Sequence, residues 1–225
     1  MVGAGGNGSI FLSHLCRIHQ AWTRLGGEPF YIDIYDPDTV TEANLARQVF
    51  CESDLGCNKA LVLAQRMRGF YDIPVKGYAE KFTTYGINPD LIVGCVDNLN
   101  ARRTMAVASG PRIRHQWGED REEPGCYWLD LGNGASSGQV ILGGHGLPNF
   151  FDVFPGQRKA KDRKDIPSCS MAEALEKQDL FINSTVATLA GQLLWQLMRR
   201  GGLNHHGYFV NLASGRVLPL EVPTT

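Results

Sequence analysis

The feature that most constrains the fold is the segment MVGAGGNGSIF at the start of the chain, in which Gly3, Gly5 and Gly8 have the spacing G-x-G-x-x-G. Apolar residues recur at helical spacing from Gly8 to Leu25, so a helix is predicted directly after the glycines. Such a turn is typical of nucleotide-binding α/β folds, because the glycines permit a tight turn, close approach of the backbone to a phosphate and close helix packing. A mononucleotide, a dinucleotide and a turn that binds nothing all remain open on this segment alone.

Few residues stand before this turn. Only Met1 and Val2 precede Gly3, whereas a strand usually has about five or six residues. We therefore expect either a very short first strand or the lack of a natural N-terminal segment.

The segments that follow alternate between strand and helix patterns. FYIDIYD (30–36) predicts a second strand, residues 59–70 predict a helix, and DLIVGCVD (90–97) predicts a buried parallel strand. Two more strands are predicted in residues 126–144 and a closing hairpin in residues 208–222. The sequence therefore predicts an α/β fold with a Rossmann-like, doubly wound, mostly parallel sheet and additional antiparallel C-terminal strands.

Length and composition indicate one domain over residues 1–225, since 225 residues suffice for one sizeable core. The net charge of −1 and the lack of an apolar run of roughly 18 residues argue against nucleic-acid and membrane partners. The N-terminus lacks the layout of a signal peptide, so a cytoplasmic location is expected. The six cysteines contain no C-x-x-C pair, and we therefore predict no zinc site. Cys16 and Cys95 are expected in the core.

The later part of the chain predicts an exposed loop and two helices. Residues 156–167 are charged and contain proline, which is typical of a loop. Ser170 and Glu173 match a capping box that opens a short helix, and a longer helix is predicted from Val186 to Arg200.

Acidic residues follow the second predicted strand. Asp36 lies at the carboxyl end of that strand and Asp38 lies two residues beyond it. A carboxylate at this position can accept a hydrogen bond from a ribose hydroxyl, whether the nucleotide is ATP or a dinucleotide. A surface turn built on Asp-Pro-Asp is the alternative.

Three further segments are more specific, namely YDPDTVTEANLARQVF, DLGCNKA and GCVDN. They resemble the signature segments of the ThiF/MoeB/HesA family, which includes the ubiquitin-activating enzymes and bacterial enzymes that adenylate sulfur carriers. The matching positions are Asp36, residues 44–48 (Asn-Leu-Ala-Arg-Gln), residues 56–59 and Asp97-Asn98. The resemblance covers about residues 1–110, and the layout is similar to that of ThiF-like proteins from plasmid-borne PRTRC gene clusters.

The resemblance implies an enzyme that uses ATP and Mg²⁺ to adenylate the C-terminal carboxylate of a small ubiquitin-like or sulfur-carrier protein ending in glycine. The substrate carboxylate itself attacks the α-phosphate, so the protein's task is positioning and charge neutralisation. Arg47 and Lys59 are expected to neutralise the phosphates, Asp97 to hold Mg²⁺, and Asn44 and Gln48 to add hydrogen bonds. The residues expected to contact the nucleotide are Gly3, Gly5, Gly6, Asn7, Gly8, Asp36, Asp38, Asn44, Arg47, Gln48, Lys59, Asp97 and Asn98.

A second step, transfer of the activated carboxylate to a thiol, occurs in many members of the family and not in others. Cys169 follows a basic loop and precedes the predicted helix cap at Ser170, and both features favour a thiolate. The resemblance also implies a crossover loop at about residues 155–180, where related enzymes carry their thioester cysteine. Cys169 is therefore the candidate, and an incidental loop cysteine is the alternative.

Two other functions remain as hypotheses. An NAD(P)-dependent oxidoreductase uses the same glycine turn, but it leaves the Asn-Leu-Ala-Arg-Gln run and Lys59 unexplained. A non-catalytic subunit of a heterodimeric activating enzyme is the other, although the chain keeps the whole set of ATP residues. The resemblance further implies a homodimer and a thiol acceptor protein as partners.

Overall fold

Helices and strands alternate along the first half of the chain, and antiparallel strands close the second half. The computed structural model describes residues 1–45, 47–84, 88–116, 119–162 and 176–223. The helices are α1 (Gly6–Arg24), α2 (Lys59–Tyr71), α3 (Leu99–Ser109), α4 (Phe150–Val153) and α5 (Ile182–Arg200). The strands are β1 (Ile32–Tyr35), β2 (Val75–Tyr78), β3 (Leu91–Gly94), β4 (Arg112–Gln116), β5 (Glu119–Glu123), β6 (Tyr127–Asn133), β7 (Ser137–Gly143), β8 (His205–Asn211) and β9 (Arg216–Glu221).

The main sheet has the order β2, β1, Val2, β3, β6, β7, β8, β9. Val2 forms single-residue parallel bridges to Tyr35 of β1 and Gly94 of β3, and its N–H donates to the Val93 carbonyl at 2.8 Å. Val2 thus joins the β1–β2 pair to β3 and the rest of the sheet. Pairing is parallel from β2 to β6 and antiparallel from β6 to β9. The predicted fold class, with its antiparallel C-terminal strands, is confirmed.

Alternate residues of the central strands face opposite layers of helices. Val93, Leu129 and Leu131 pack with α1, α2 and α5 in one buried apolar cluster. Ile92 and Trp128 pack with α3 and α4 in a second cluster. Because both faces of the parallel strands are covered, these strands read as continuous apolar runs in the sequence.

Most predicted elements are confirmed with shifted ends. Residues 156–167 are predicted as an exposed loop; residues 156–162 are largely exposed and begin within a 3-10 turn at residues 155–158, and residues 163–167 lie outside the described residues. The Arg103 side chain holds this region against α3, because its Nε donates to the Arg158 carbonyl at 3.1 Å and its Nη2 donates to the Ala160 carbonyl.

The sequence analysis missed β2 and the β4–β5 hairpin. β2 has only four residues, one of them glycine, and β4 and β5 are charged and pair only with each other. Within the described part of the chain, no helix is long and apolar enough to cross a membrane.

Candidate active site

A cleft of about 1350 Å³ opens at the carboxyl ends of the parallel strands, where α/β sheets bind ligands. All but one of the residues predicted to contact nucleotide line it. They are Gly3, Gly5, Gly6, Asn7, Asp36, Asp38, Asn44, Arg47, Gln48, Lys59, Asp97 and Asn98. The exception, Gly8, is buried beneath the glycine turn.

The glycines of the turn differ in how much space a Cβ atom would have at each position. Gly3 has φ +91°, and a Cβ there would lie 2.5 Å from the Cys95 carbonyl oxygen. A Cβ on Gly8 would lie 2.1 Å from the Gly3 carbonyl oxygen. A Cβ on Gly5 would meet nothing within 4 Å among the described residues. Gly3 and Gly8 therefore serve the fold, whereas Gly5 leaves bare backbone facing the cleft.

The N-terminus of α1 faces the cleft without a side-chain cap. The N-cap is Gly5, no described side chain accepts a hydrogen bond from the first turn, and that turn contains no acidic residue. The first amides of a helix have no intrahelical partner and carry a partial positive charge. This helix end therefore suits an anion.

Asp36 joins the end of β1 to the glycine turn. Its carboxylate accepts hydrogen bonds from the Ala4 amide at 2.6 Å and from the Asp38 amide at 2.9 Å. Burial raises the pKa of Asp36, and these two hydrogen bonds oppose the rise. The Asp36 side chain is buried, yet it also lines the cleft. It therefore fixes the glycine turn and can also accept a hydrogen bond from a ligand.

Lys59 begins α2 and is nearly buried. Asn58 positions it, because the Asn58 side chain caps α2 at the Leu61 amide and donates to the carbonyls of Asp36 and Asp38. The Lys59 Nζ lies 3.6 Å from the Asp38 carboxylate, whose side chain is 69% exposed. Solvent therefore largely screens the attraction between Lys59 and Asp38, which lies at the rim of the cleft.

Arg47 is held from the far side of the cleft. Its Nη1 donates to Gln178 Oε1 at 2.6 Å, and the same oxygen accepts from Asn183 Nδ2 at 3.3 Å. Gln178 Nε2 donates to the Gly134 carbonyl at 3.2 Å. Burial lowers the pKa of Arg47. Among the described residues the partners of Arg47 are neutral, so this part of the chain leaves its charge for a ligand.

Asp97 and Asn98 follow β3. Asn98 caps α3 by accepting from the Ala101 amide at 2.8 Å, and Asp97 is exposed in the cleft. In the described part of the chain, no group of three or more His, Cys, Asp or Glu side chains could hold a metal ion by itself. Mg²⁺ is commonly held by one or two carboxylates together with substrate phosphates, so Asp97 fits a Mg²⁺ that arrives with a nucleotide.

A buried ion pair between α3 and β6 lies beside the cleft. Arg102 Nε lies 2.8 Å from Asp130 Oδ1, and the two side chains are only 7% and 1% exposed. Arg102 and Gln139 both line the cleft, and Gln139 pairs across the sheet with Gly132.

A family model described as the ThiF family matches residues 1–214. The chain belongs to the ThiF family. The sequence matches no curated protein. The predicted resemblance is thereby confirmed at the level of the family.

Several solved structures share the fold of this ThiF-family chain. E. coli MccB with ATP is 15% identical with a TM-score of 0.62, and the match covers 100% of this chain and 62% of that one. E. coli MccB with AMPCPP and MccA is 17% identical with a TM-score of 0.61, covering 100% and 63%. PaaA in selenomethionine form is 13% identical with a TM-score of 0.61, covering 100% and 64%. The chain thus spans less than two thirds of these proteins, and the likeness establishes the fold.

The cysteines of the ThiF-family chain differ from expectation at one position. Cys16 is buried, as predicted, but Cys95 is only partly buried and lines the cleft just beyond β3. Burial by neighbouring groups raises the pKa of the Cys95 thiol to about 12. Cys169 and the predicted cap at Ser170 lie outside the described residues.

The sequence does not predict several residues that line the cleft, among them Arg102, Gln139, Gln178 and Asn183. Arg102 stands four residues after Asn98 on the first turns of a helix, and this spacing is the one signal that places it near the cleft. The other three lie far along the chain, so only tertiary structure brings them to the site, through the β6–β7 register for Gln139 and through the start of α5 for Asn183.

Proposed function

We propose that the chain catalyses ATP-dependent adenylation of the C-terminal carboxylate of a small ubiquitin-like or sulfur-carrier protein that ends in glycine. The observation that carries the proposal is the convergence of the glycine turn, Arg47, Lys59 and Asp97 on one cleft. Membership of the ThiF family supports it, as does the use of ATP or AMPCPP in the structures of MccB, a protein of the same fold.

The reaction makes few chemical demands on the protein. An oxygen of the substrate carboxylate attacks the α-phosphorus of ATP, the bond from that phosphorus to the bridging oxygen breaks, and pyrophosphate leaves with the electron pair. Negative charge moves toward the pyrophosphate in this step, so fixed positive groups near the phosphates stabilise the transition state. The proposal assigns this role to Arg47, Lys59 and the uncapped N-terminus of α1.

The remaining predicted residues take binding roles in the proposal. Gly5 and Gly6 contact phosphate through the backbone, and Asp36 and Asp38 face the ribose. Asn7, Asn44, Gln48 and Asn98 add hydrogen bonds. Asp97 would hold Mg²⁺, which neutralises phosphate charge when it is bound.

ATP–pyrophosphate exchange tests the proposal, with any small glycine-ending protein that a neighbouring gene encodes as a candidate carrier. We expect exchange that requires a carrier, and we expect Arg47→Ala or Asp97→Ala to slow it by about 10²–10³. Arg200→Ala, at the exposed end of α5 and outside the cleft lining, is the matched control. Lack of exchange with every carrier, together with tighter binding of NADH than of AMPCPP, would favour the oxidoreductase hypothesis. Unchanged carrier modification in both variants would favour a non-catalytic subunit.

Thioester formation at Cys169 and a homodimer complete the proposal. Asp162 and Gln178 flank the segment that contains Cys169, and both line the cleft. An adduct between chain and carrier that disappears with thiol reductant, and is absent in Cys169→Ser, is the expected result. Light scattering checks the dimer, and a monomer mass would exclude it.

A further inference from the structure

The guanidinium of Arg102 is held by a hydrogen bond along one edge and by an aromatic ring against one face. Its Nε bonds to Asp130 on the neighbouring strand β6 at 2.8 Å, and its Cζ lies 4.6 Å from the centre of the Phe150 ring. Of its side-chain donors, only Nε has a hydrogen-bond partner among the described residues. The terminal nitrogens of a buried, immobile arginine are therefore left for a ligand in the cleft that Arg102 lines.

Gly132 leaves space for the Gln139 side chain beside these nitrogens. It pairs across the sheet with Gln139, and a Cβ on Gly132 would lie 2.1 Å from Gln139 Nε2 and 2.8 Å from Arg102 Nη2. The Gln139 side chain also hydrogen-bonds the buried Asp130 carboxylate, and because an amide nitrogen carries two N–H groups, the other serves a ligand. Any larger residue at position 132 would push both groups away. The glycine thus makes room for a guanidinium and a carboxamide to converge over one strand.

The charge of this corner suits a carboxylate better than a triphosphate. Asp130 offsets the charge of Arg102, so the corner offers directed donors with little net positive charge. A planar guanidinium matches the two oxygens of a carboxylate. The proposed function assigns the phosphates of ATP to two other positive groups of the cleft, Arg47 and Lys59.

We propose that Arg102 and Gln139 form a carboxylate subsite that binds and orients the terminal carboxylate of the substrate, with Asp130 as the positioning residue for Arg102. This assignment deepens the proposed function and rests on it. Arg102 is the group that touches substrate, and Gly132 keeps the subsite open.

The subsite can be tested on the full chain with N-acetyl-glycylglycine and its C-terminal amide as probes, by calorimetry or NMR titration. The wild-type chain should bind the acid at least about tenfold more tightly than the amide, since only the acid offers two anionic oxygens. Arg102→Gln combined with Asp130→Asn keeps the buried pair neutral, and should remove that preference while AMPCPP affinity stays within about twofold. Gln139→Leu leaves the ion pair intact and serves as the test if the double variant does not fold. It should weaken acid binding by about threefold to tenfold.

Three results would overturn the subsite: acid and amide that bind equally or not at all, a folded double variant with wild-type acid affinity, or an AMPCPP affinity that falls as much as the acid affinity. The last would assign Arg102 to the phosphates. Exchange with a carrier whose KM is unchanged in the double variant would reject the subsite and keep the proposed function. A preference for the acid over the amide, without any ATP–pyrophosphate exchange, would keep the subsite and reject the proposed function.

Discussion

The two walls of the cleft hold their charges in different ways. The glycine wall, formed by residues 3–8, residues 36–38 and Lys59, pairs Lys59 with Asp38 at 3.6 Å, and Asp38 is 69% exposed. The β6 wall, formed by Arg102, Asp130, Gly132 and Gln139, pairs Arg102 with Asp130 at 2.8 Å, and both partners are buried. A screened rim pair leaves its lysine available to an incoming phosphate, whereas a buried pair fixes its arginine in one orientation. The first wall is therefore suited to neutralise charge, and the second to orient a ligand.

Breaking the buried pair should have the largest effect. Asp130→Ala leaves the Arg102 charge buried without a partner and should lower the free energy of unfolding by about 3–5 kcal/mol. Asp38→Ala, the matched change in the glycine wall, should cost about 0–1 kcal/mol because solvent largely screens the exposed Asp38 carboxylate. Urea unfolding measures both. Equal losses would mean that the two walls do not differ in this way.

The glycine turn gives the next effect. Gly3→Ala forces a side chain onto φ +91° and against the Cys95 carbonyl, which should cost about 1–3 kcal/mol of stability. Gly5→Ala meets open space, so stability should change by less than about 0.5 kcal/mol while AMPCPP affinity falls by about tenfold or more. Thermal unfolding and calorimetry separate the two variants. A destabilised Gly5→Ala with normal affinity would show that Gly5 serves the fold alone.

The glycine wall was the more readable of the two from sequence, and local structure explains why. Gly3, Gly5, Gly8 and Asp36 act through turns and strand ends, so their spacing in the chain determines their spacing in space. Gln139 reaches the cleft only because β7 pairs with β6 in a register that puts it opposite Gly132. No periodicity within one segment reports that register.

Val2 shows the same limit within the fold. The glycine turn indicates where the first strand lies, but the sequence does not indicate which strands Val2 pairs with. That pairing is non-local, because Val2 bridges both Tyr35 and Gly94.

Gln178, which connects Arg47 to the Gly134 carbonyl after β6, should give a smaller effect when it is replaced. Gln178→Ala removes the acceptor that holds Arg47 Nη1 at 2.6 Å, and should cost about 1 kcal/mol of stability with a lower rate of exchange. Gln157→Ala, on the exposed 3-10 turn, is the control. If both variants behave like the wild type, Arg47 does not depend on the β6 side of the cleft.

The buried carboxylate of the glycine wall should give the smallest effect, seen as a pH dependence. Burial raises the pKa of Asp36 above its ordinary value of 3.8, so the folded chain binds this proton more tightly than the unfolded chain. The stability from this group is therefore full below that value and declines as the pH rises. Asp36→Asn keeps one acceptor and should remove that decline, so wild-type stability should fall relative to the variant as the pH rises above 3.8. Parallel curves would contradict the assignment.

In the proposed function, the carboxylate of a substrate attacks the α-phosphorus of ATP in this cleft. The most direct test labels the C-terminal carboxylate of the carrier with ¹⁸O and, after turnover, analyses the released AMP by mass spectrometry. We expect AMP with one ¹⁸O atom, and loss of that product in Arg47→Ala. AMP without label, or ADP as the nucleotide product, would contradict it.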